Sequence, residues 1–203
     1  METSNAKELL FFTDKCQVYR ASVNDFDCLK AAAMGDYLNT KLKMDEGEKP
    51  VYMEIRKEYP EGENYIFVFE NGKAVRVPVT AYVTKGNRRK LTGAYSDSSP
   101  IVAVFTDTDK KPIDILMISS LDRAILVKST LIPVKTTRTS GGVQIMTLKR
   151  GAILAKAIAD FGGRLPERQV LPQAEGPCLG DSPGGEERRD PADQDGYRLT
   201  QTG

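Results

Sequence analysis

The chain of 203 residues has no histidine and no tryptophan, and its three cysteines, Cys16, Cys28 and Cys178, lie far apart without any Cys-x-x-Cys spacing. A His-based catalytic triad is therefore excluded, and the Cys and His clusters that bind zinc cannot be assembled. Scattered cysteines suit a reducing compartment better than a disulfide framework. Long apolar runs are also missing. The longest, such as "LLFF" at 9 to 12, fall well short of the roughly 20 residues that span a bilayer, and the N-terminus has no signal-peptide layout. No Gly-rich phosphate loop of the GxxxxGK[ST] type occurs, so ATP binding is not expected. These absences predict a soluble, cytoplasmic chain with no metal, no cofactor and no membrane partner.

The formal charge is only +1, but it is unevenly spread. Residues 1 to 64 carry 9 Lys and Arg against 13 Asp and Glu, residues 65 to 163 carry 15 against 7, and residues 164 to 203 carry 5 against 8. No acid occurs between Asp122 and Asp160, whereas "TKGNRRKLTG" at 84 to 93 places Lys85, Arg88, Arg89 and Lys90 within six positions. The middle of the chain is a polycation, and a field of that sign attracts phosphate backbones or anionic surfaces.

Composition divides the chain. From Leu165 onward it is crowded with Gly, Pro and charge and has no apolar periodicity, the composition of a segment that cannot offset its own ordering entropy. We expect a leader at 1–6, a folded body at 7–163 ending near Gly162 and Gly163, and a disordered tail at 164–203.

The body reads as all-β. Short apolar or alternating runs recur between turn formers, among them "ELLFFT" (8 to 13), "NYIFVF" (64 to 69), "PIVAVF" (100 to 105), "DILMIS" (114 to 119) and "GVQIMTL" (142 to 148). The segment at 25 to 42 is a candidate short helix, and "AILAKAIADF" fits strand and helix equally. The runs also repeat as a set. "FFTDKCQVYRASVNDF" (11 to 26) superposes on "FVFENGKAVRVPVTAY" (67 to 82) at an offset of 56, and "ISSLDRAILVKSTLI" (118 to 132) follows at a further 50, placing Cys16, Gly72 and Asp122 in register. Four-stranded units at a period near 50 point to propeller-like blades, here at about 7–60, 61–111 and 112–160. Closed propellers need about four or more blades. Three therefore form an incomplete array, which is either a piece of a longer one or is completed by other copies or another subunit.

The phrases "LLFFTDKCQVYRASVNDF", "FVFENGKAVRVPVTAYVTKGNRRKL", "AYSDSSPIVAVF" and "IPVKTTRTSGGVQIMTLKRGAIL" resemble the C-terminal β-pinwheel domain of the A subunit of bacterial type IIA DNA topoisomerases, DNA gyrase and topoisomerase IV. The resemblance covers about residues 7 to 160. Arg138, Gly142, Val143, Ile145, Leu148 and Gly151 match the family's blade-closing phrase. Two departures stand out. Cys16 and Asp122 occupy the family's hairpin glycine, so those turns are either built differently or held in a left-handed conformation. The Gln-Arg-Arg-Gly-Gly-Lys-Gly box of gyrase-type wrapping is absent, and "KGNRRK" is a distant echo of it.

The resemblance implies non-sequence-specific binding and bending of duplex DNA in the service of DNA topology change. Its implied protein partners are the breakage-reunion part of the A subunit and the ATPase B subunit. The family's cleavage tyrosine belongs to a region with no counterpart here, and Tyr95 in "GAYSDSSP" carries none of its motif, so no catalytic residue is expected in this chain. The candidate phosphate contacts are Lys85, Arg88, Arg89, Lys90, Lys135, Arg138, Lys149 and Arg150, with the arginines favoured for positioning because a guanidinium can fork onto a phosphate. Aromatics concentrated in strand runs favour duplex over single-stranded DNA. Arg20 and Arg76 recur at equivalent places, as DNA contacts or as a repeated ion pair. The alternative function is a protein-interaction fragment whose basic rim docks an acidic partner or the rest of a split topoisomerase.

Overall fold

A computed structural model describes residues 8–84 and 88–160. The leader, Lys85 and the C-terminal tail lie outside the described residues. Three hairpins form the framework: β1 (Glu8–Thr13) with β2 (Gln17–Ser22), β4 (Glu63–Phe69) with β5 (Lys73–Pro78), and β8 (Asp114–Ser119) with β9 (Ala124–Lys128). In each, an i to i+3 turn closes on a residue with positive φ. Cys16 (φ 57°), Gly72 (φ 76°) and Asp122 (φ 54°) donate their N–H to Thr13 O, Phe69 O and Ser119 O at 3.3, 3.0 and 3.1 Å. The left-handed turn is thus kept in all three repeats, although a cysteine and an aspartate replace glycine in two of them. After each hairpin comes a 3-10 turn at the same offsets, Val23–Asp25, Val79–Tyr82 and Ser129–Leu131.

Each unit then returns through a long strand, β3 (Pro50–Arg56), β7 (Ile101–Thr108) and β11 (Leu154–Asp160), antiparallel to the first strand of its own hairpin. "AILAKAIADF" therefore resolves as strand. The outer strands are exchanged between units. Short β6 (Lys90–Thr92) follows the second hairpin but pairs with β2, and β10 (Val143–Gln144) follows the third but pairs with β5. The sheets run β3-β1-β2-β6, β10-β5-β4-β7 and β11-β8-β9, so the third has three strands among the described residues. The run at 142 to 148 yields only two strand residues because Ile145 and Met146 leave the ladder and donate to Gly72 O, both at 3.0 Å. Gly72 is required there, since a Cβ would lie 2.3 Å from Met146 O.

Two apolar layers join the sheets. Leu10, Phe12 and Val18 on the forward face of sheet 1 pack against Tyr65, Phe67, Phe69, Val75 and Val77 on the rear of sheet 2. The forward face of sheet 2 (Ile66, Val68, Ala74) packs against Ile115 and Met117 on the rear of sheet 3. Strand β4 is buried on both faces, which explains why "YIFVF" is a continuous apolar run rather than an alternating one. The rear of sheet 1 (Leu9, Phe11, Tyr19, Ala21) is covered by Val23, Phe26, Leu38, Leu42 and Met44. The candidate helix of 25 to 42 shortens to α1 (Leu38–Leu42), five residues held by that packing rather than by a side-chain cap.

Candidate nucleic-acid interface

Strands β3 and β11 each pack beside β7, so the sheets converge on that edge. The exchanged strands β6 and β10 occupy the opposite edge. The cationic loops run along this second edge because they lead into the exchanged strands. The main chain straps them down at equivalent places: Arg20 N donates to Arg89 O at 2.8 Å, and Lys135 N donates to Arg76 O at 2.7 Å. The structure thereby puts the Arg88–Arg89 loop and the Lys135 loop on corresponding edges of neighbouring sheets.

The side chains differ in availability. Arg88 is exposed, and so is Arg89, whose side chain is 75 % accessible and 3.9 Å from the Asp25 carboxylate. Both line an open cleft of about 310 Å³ with Glu8, Arg20 and Asp25. Lys135 is exposed as well. Lys90 is engaged: its Nζ lies 2.8 and 2.9 Å from the Asp45 carboxylate oxygens and 5.5 Å from the centre of the Tyr19 ring. The hydrogen bond to Asp45 holds the lysine above its usual range, and Lys90 holds Asp45 below its own. Arg138 is also committed. Its Nε donates to Gly93 O at 3.2 Å and its Nη1 to Ala81 O at 2.8 Å, with the guanidinium 5.9 Å from the centre of the Tyr82 ring. It fastens the third unit onto the loops of the second. Lys149 and Arg150 are exposed on a turn closed by Ala152 N to Lys149 O (2.9 Å), five residues beyond β10.

Arg20 and Arg76 are ion-paired. Arg20 Nη2 is 2.5 and 2.6 Å from the Glu8 oxygens. Arg76 donates to Asp107 through Nε at 3.2 Å and to Asp109 through Nη2 at 3.0 Å, and the Asp107 side chain is fully buried. Sequence reasoning missed the acids Asp25 and Asp45 that face the cationic loop. The acid excess of residues 1 to 64 was the available signal, but only the exchange of β6 onto sheet 1 brings those acids to Arg89 and Lys90.

Tyr95 is a packing residue. It is 1 % exposed, stacks on Phe67 with ring centroids 5.3 Å apart, and donates its hydroxyl to Thr13 O, and burial pushes its pKa upward. Among the described residues no cluster of three or more Cys, Asp or Glu is arranged to hold a metal ion, and no helix is long and apolar enough to cross a membrane.

A family model described as the DNA gyrase C-terminal domain, beta-propeller, matches residues 7–35 and 114–159. The chain is also similar to the solved C-terminal domain of DNA topoisomerase IV (20 % identity, TM-score 0.67, 79 % of this chain and 49 % of that one). It is similar to the DNA gyrase A C-terminal domain (15 %, 0.52, 77 % and 49 %) and to the C-terminal domain of E. coli ParC (14 %, 0.58, 78 % and 64 %). No curated protein sequence matches. The resemblance carried by the four phrases is borne out, as is the propeller-type fold, and the chain spans about half to under two thirds of the length of these domains. The blade-closing phrase acquires a physical reading: Arg138 is the latch, Gly142 passes so close to β5 that a Cβ would lie 2.3 Å from Ala74 O, and Ile145 and Leu148 enter the second core.

Proposed function

We propose that this chain binds and bends duplex DNA without sequence preference, as C-terminal blades of a type IIA topoisomerase A subunit that work with the breakage-reunion part and the ATPase B subunit in changing DNA topology in the bacterial cytoplasm. The observation that carries this reading is the placing of exposed Arg88, Arg89 and Lys135 on corresponding edges of successive sheets. Cations repeated along a fanned edge suit a phosphate backbone that follows a curve, and they offer no base readout. Smooth bending of a short duplex costs on the order of 1 to 6 kcal/mol, which several such contacts can offset. The aromatic rings of Phe12, Phe67 and Tyr95 are buried in the core, which favours duplex over stacked single strands. The named relatives support the reading through the domains they belong to.

The geometry ranks the contacts. Arg88, Arg89 and Lys135 present exposed charge, Arg89 with only a long contact to Asp25, Lys149 and Arg150 form a separate exposed pair, and Lys90 and Arg138 serve the protein first. Binding to a fluorescent duplex across a salt series tests this. The unmodified chain should show log K falling by about 0.9 per phosphate neutralised. The Arg88→Ala, Arg89→Ala double variant should have a shallower slope, whereas Arg138→Ala should lower the melting temperature more than the slope. Absence of binding at low salt would overturn the reading and favour an acidic protein partner for the edge.

A further inference from the structure

The two edges that carry exposed cations differ in what stands opposite them. At the edge of sheet 2, Lys135 is exposed and has no ion pair among the described residues. Ala81 stands there at the offset of Asp25, and its carbonyl accepts Arg138. At the edge of sheet 1, two acids of the first unit face the loop. Asp45 holds Lys90 through both carboxylate oxygens at 2.8 and 2.9 Å, and Asp25 lies 3.9 Å from Arg89. Both acids are set in place by the protein itself. Asp25 Oδ2 accepts the Ser22 N–H at 2.9 Å as half of a capping box. Asp45 Oδ2 accepts Gln17 Nε2 at 3.1 Å, and the Asp45 N–H donates to Glu48 Oε2 at 3.1 Å. Glu48 is the anchor: its carboxylate is fully buried and accepts the hydroxyls of Tyr19 (2.7 Å) and Thr13, with no Lys or Arg paired to it among the described residues. A carboxylate buried on neutral donors is costly unless every bond is kept, so the turn from Asp45 to Glu48 is held in one geometry. An exposed ion pair usually loses much of its strength to the entropy of fixing two side chains. Here one partner is already fixed.

We infer that Asp45, together with Asp25, is a built-in counter-charge that keeps the edge of sheet 1 paired with the protein's own carboxylates, so that a phosphate backbone reaches Lys90 and Arg89 only by displacing them. The inference rests on the duplex-binding reading and states how that edge is regulated. The Lys90 and Asp45 side chains are 36 % and 49 % exposed, which leaves their pair weak enough for a phosphate to replace the carboxylate. Engagement is therefore ordered. Lys135 takes a phosphate without any exchange, whereas the edge of sheet 1 follows once duplex is held close enough to compete with Asp45 and Asp25.

Binding of the full chain to a fluorescent duplex across a salt series tests this, with Asp45→Asn, Lys90→Ala, the two combined, and Asp25→Asn. Asparagine keeps a side-chain oxygen for Gln17 at position 45 and for the Ser22 N–H at position 25. Asp45→Asn should tighten low-salt binding about three- to tenfold and steepen the log K slope by about 0.9, the increment for one more phosphate neutralised. Asp25→Asn should give a smaller gain, because its contact is longer. In the Lys90→Ala background the gain from Asp45→Asn should fall below about twofold, since the acid acts through that lysine. Equal gains in both backgrounds would overturn the inference by reducing it to net charge. Unchanged affinity in Asp45→Asn would also overturn it, leaving a pair that only fastens β6 to sheet 1 and the duplex-binding reading intact. Absence of duplex binding in every variant would overturn both.

Discussion

The two ends of the array present the same kind of surface and treat it in opposite ways. At the rear of sheet 1, Leu9, Phe11, Tyr19 and Ala21 are buried under a segment that the first unit inserts between its hairpin and β3. At the forward end, Leu116, Ile118 and Leu126 have no such cover among the described residues. The rear end is closed with local chain, as terminal repeats of solenoids are. The forward end keeps the composition of an interior repeat. A repeat therefore does not carry its own stability; the face opposite it decides how much each apolar side chain contributes.

The largest effect should come from testing that statement at equivalent positions. Ile66 is fully buried between sheets 2 and 3, so Ile66→Ala is expected to cost about 2 to 5 kcal/mol in denaturant unfolding. Leu116→Ala, one repeat later, should cost less, because that side chain is only partly buried and already keeps some of its surface in water. Equal losses would mean that the forward face is covered in solution.

Next in size is the exchanged strand. Gly142 has φ 71° and no room for a Cβ, so Gly142→Ala should cost about 1 to 3 kcal/mol and raise hydrogen exchange along the outer edge of β5. That would give sheet 2 the open edge that sheet 3 has among the described residues. Removing the rear cap makes the two ends alike from the other side. Leu38→Asp in the five-residue α1 should cost about 1 to 2 kcal/mol and increase binding of a hydrophobic dye, read by fluorescence.

The smallest effect is electrostatic and should single out the first interface, where Tyr65, Tyr82 and Tyr95 are buried and Tyr59 is partly so; residues 112 to 160 contain no tyrosine. Burial, with the Glu8 carboxylate beside it, pushes the Tyr59 pKa up to about 12 from an ordinary 10.0. The folded state holds that proton more tightly than the unfolded chain. Its contribution is therefore complete below pH 10 and lost as pH rises through about 12. Melting temperatures should fall across that window, less steeply for Tyr59→Phe, with tyrosinate absorbance reporting the ionisation.

Much of this fold was legible in the residues. The strand runs and the common register of Cys16, Gly72 and Asp122 follow from local conformational preference and from the spacing of apolar side chains, whereas the 3-10 turns at matching offsets came only with the structure. The candidate interface was legible only as a list of cations. Charge counts could not tell that Lys90 would meet Asp45 or that Arg138 would be spent on Ala81 O and Gly93 O, because those partners are 45 or more positions away in sequence.

By itself, then, the sequence determined the repeating hairpins, the positions of their turns and the regional charge, since each depends on neighbours within a few residues or on simple composition; that the Cys16 and Asp122 turns are left-handed was decided by the structure. Only the tertiary structure decided which unit lends a strand to which, which arginines stay exposed at the edge, and which apolar face is left uncovered among the described residues. Those outcomes turn on long-range pairing: the same two-residue strand, ion pair or leucine has a different energy depending on which distant segment closes over it.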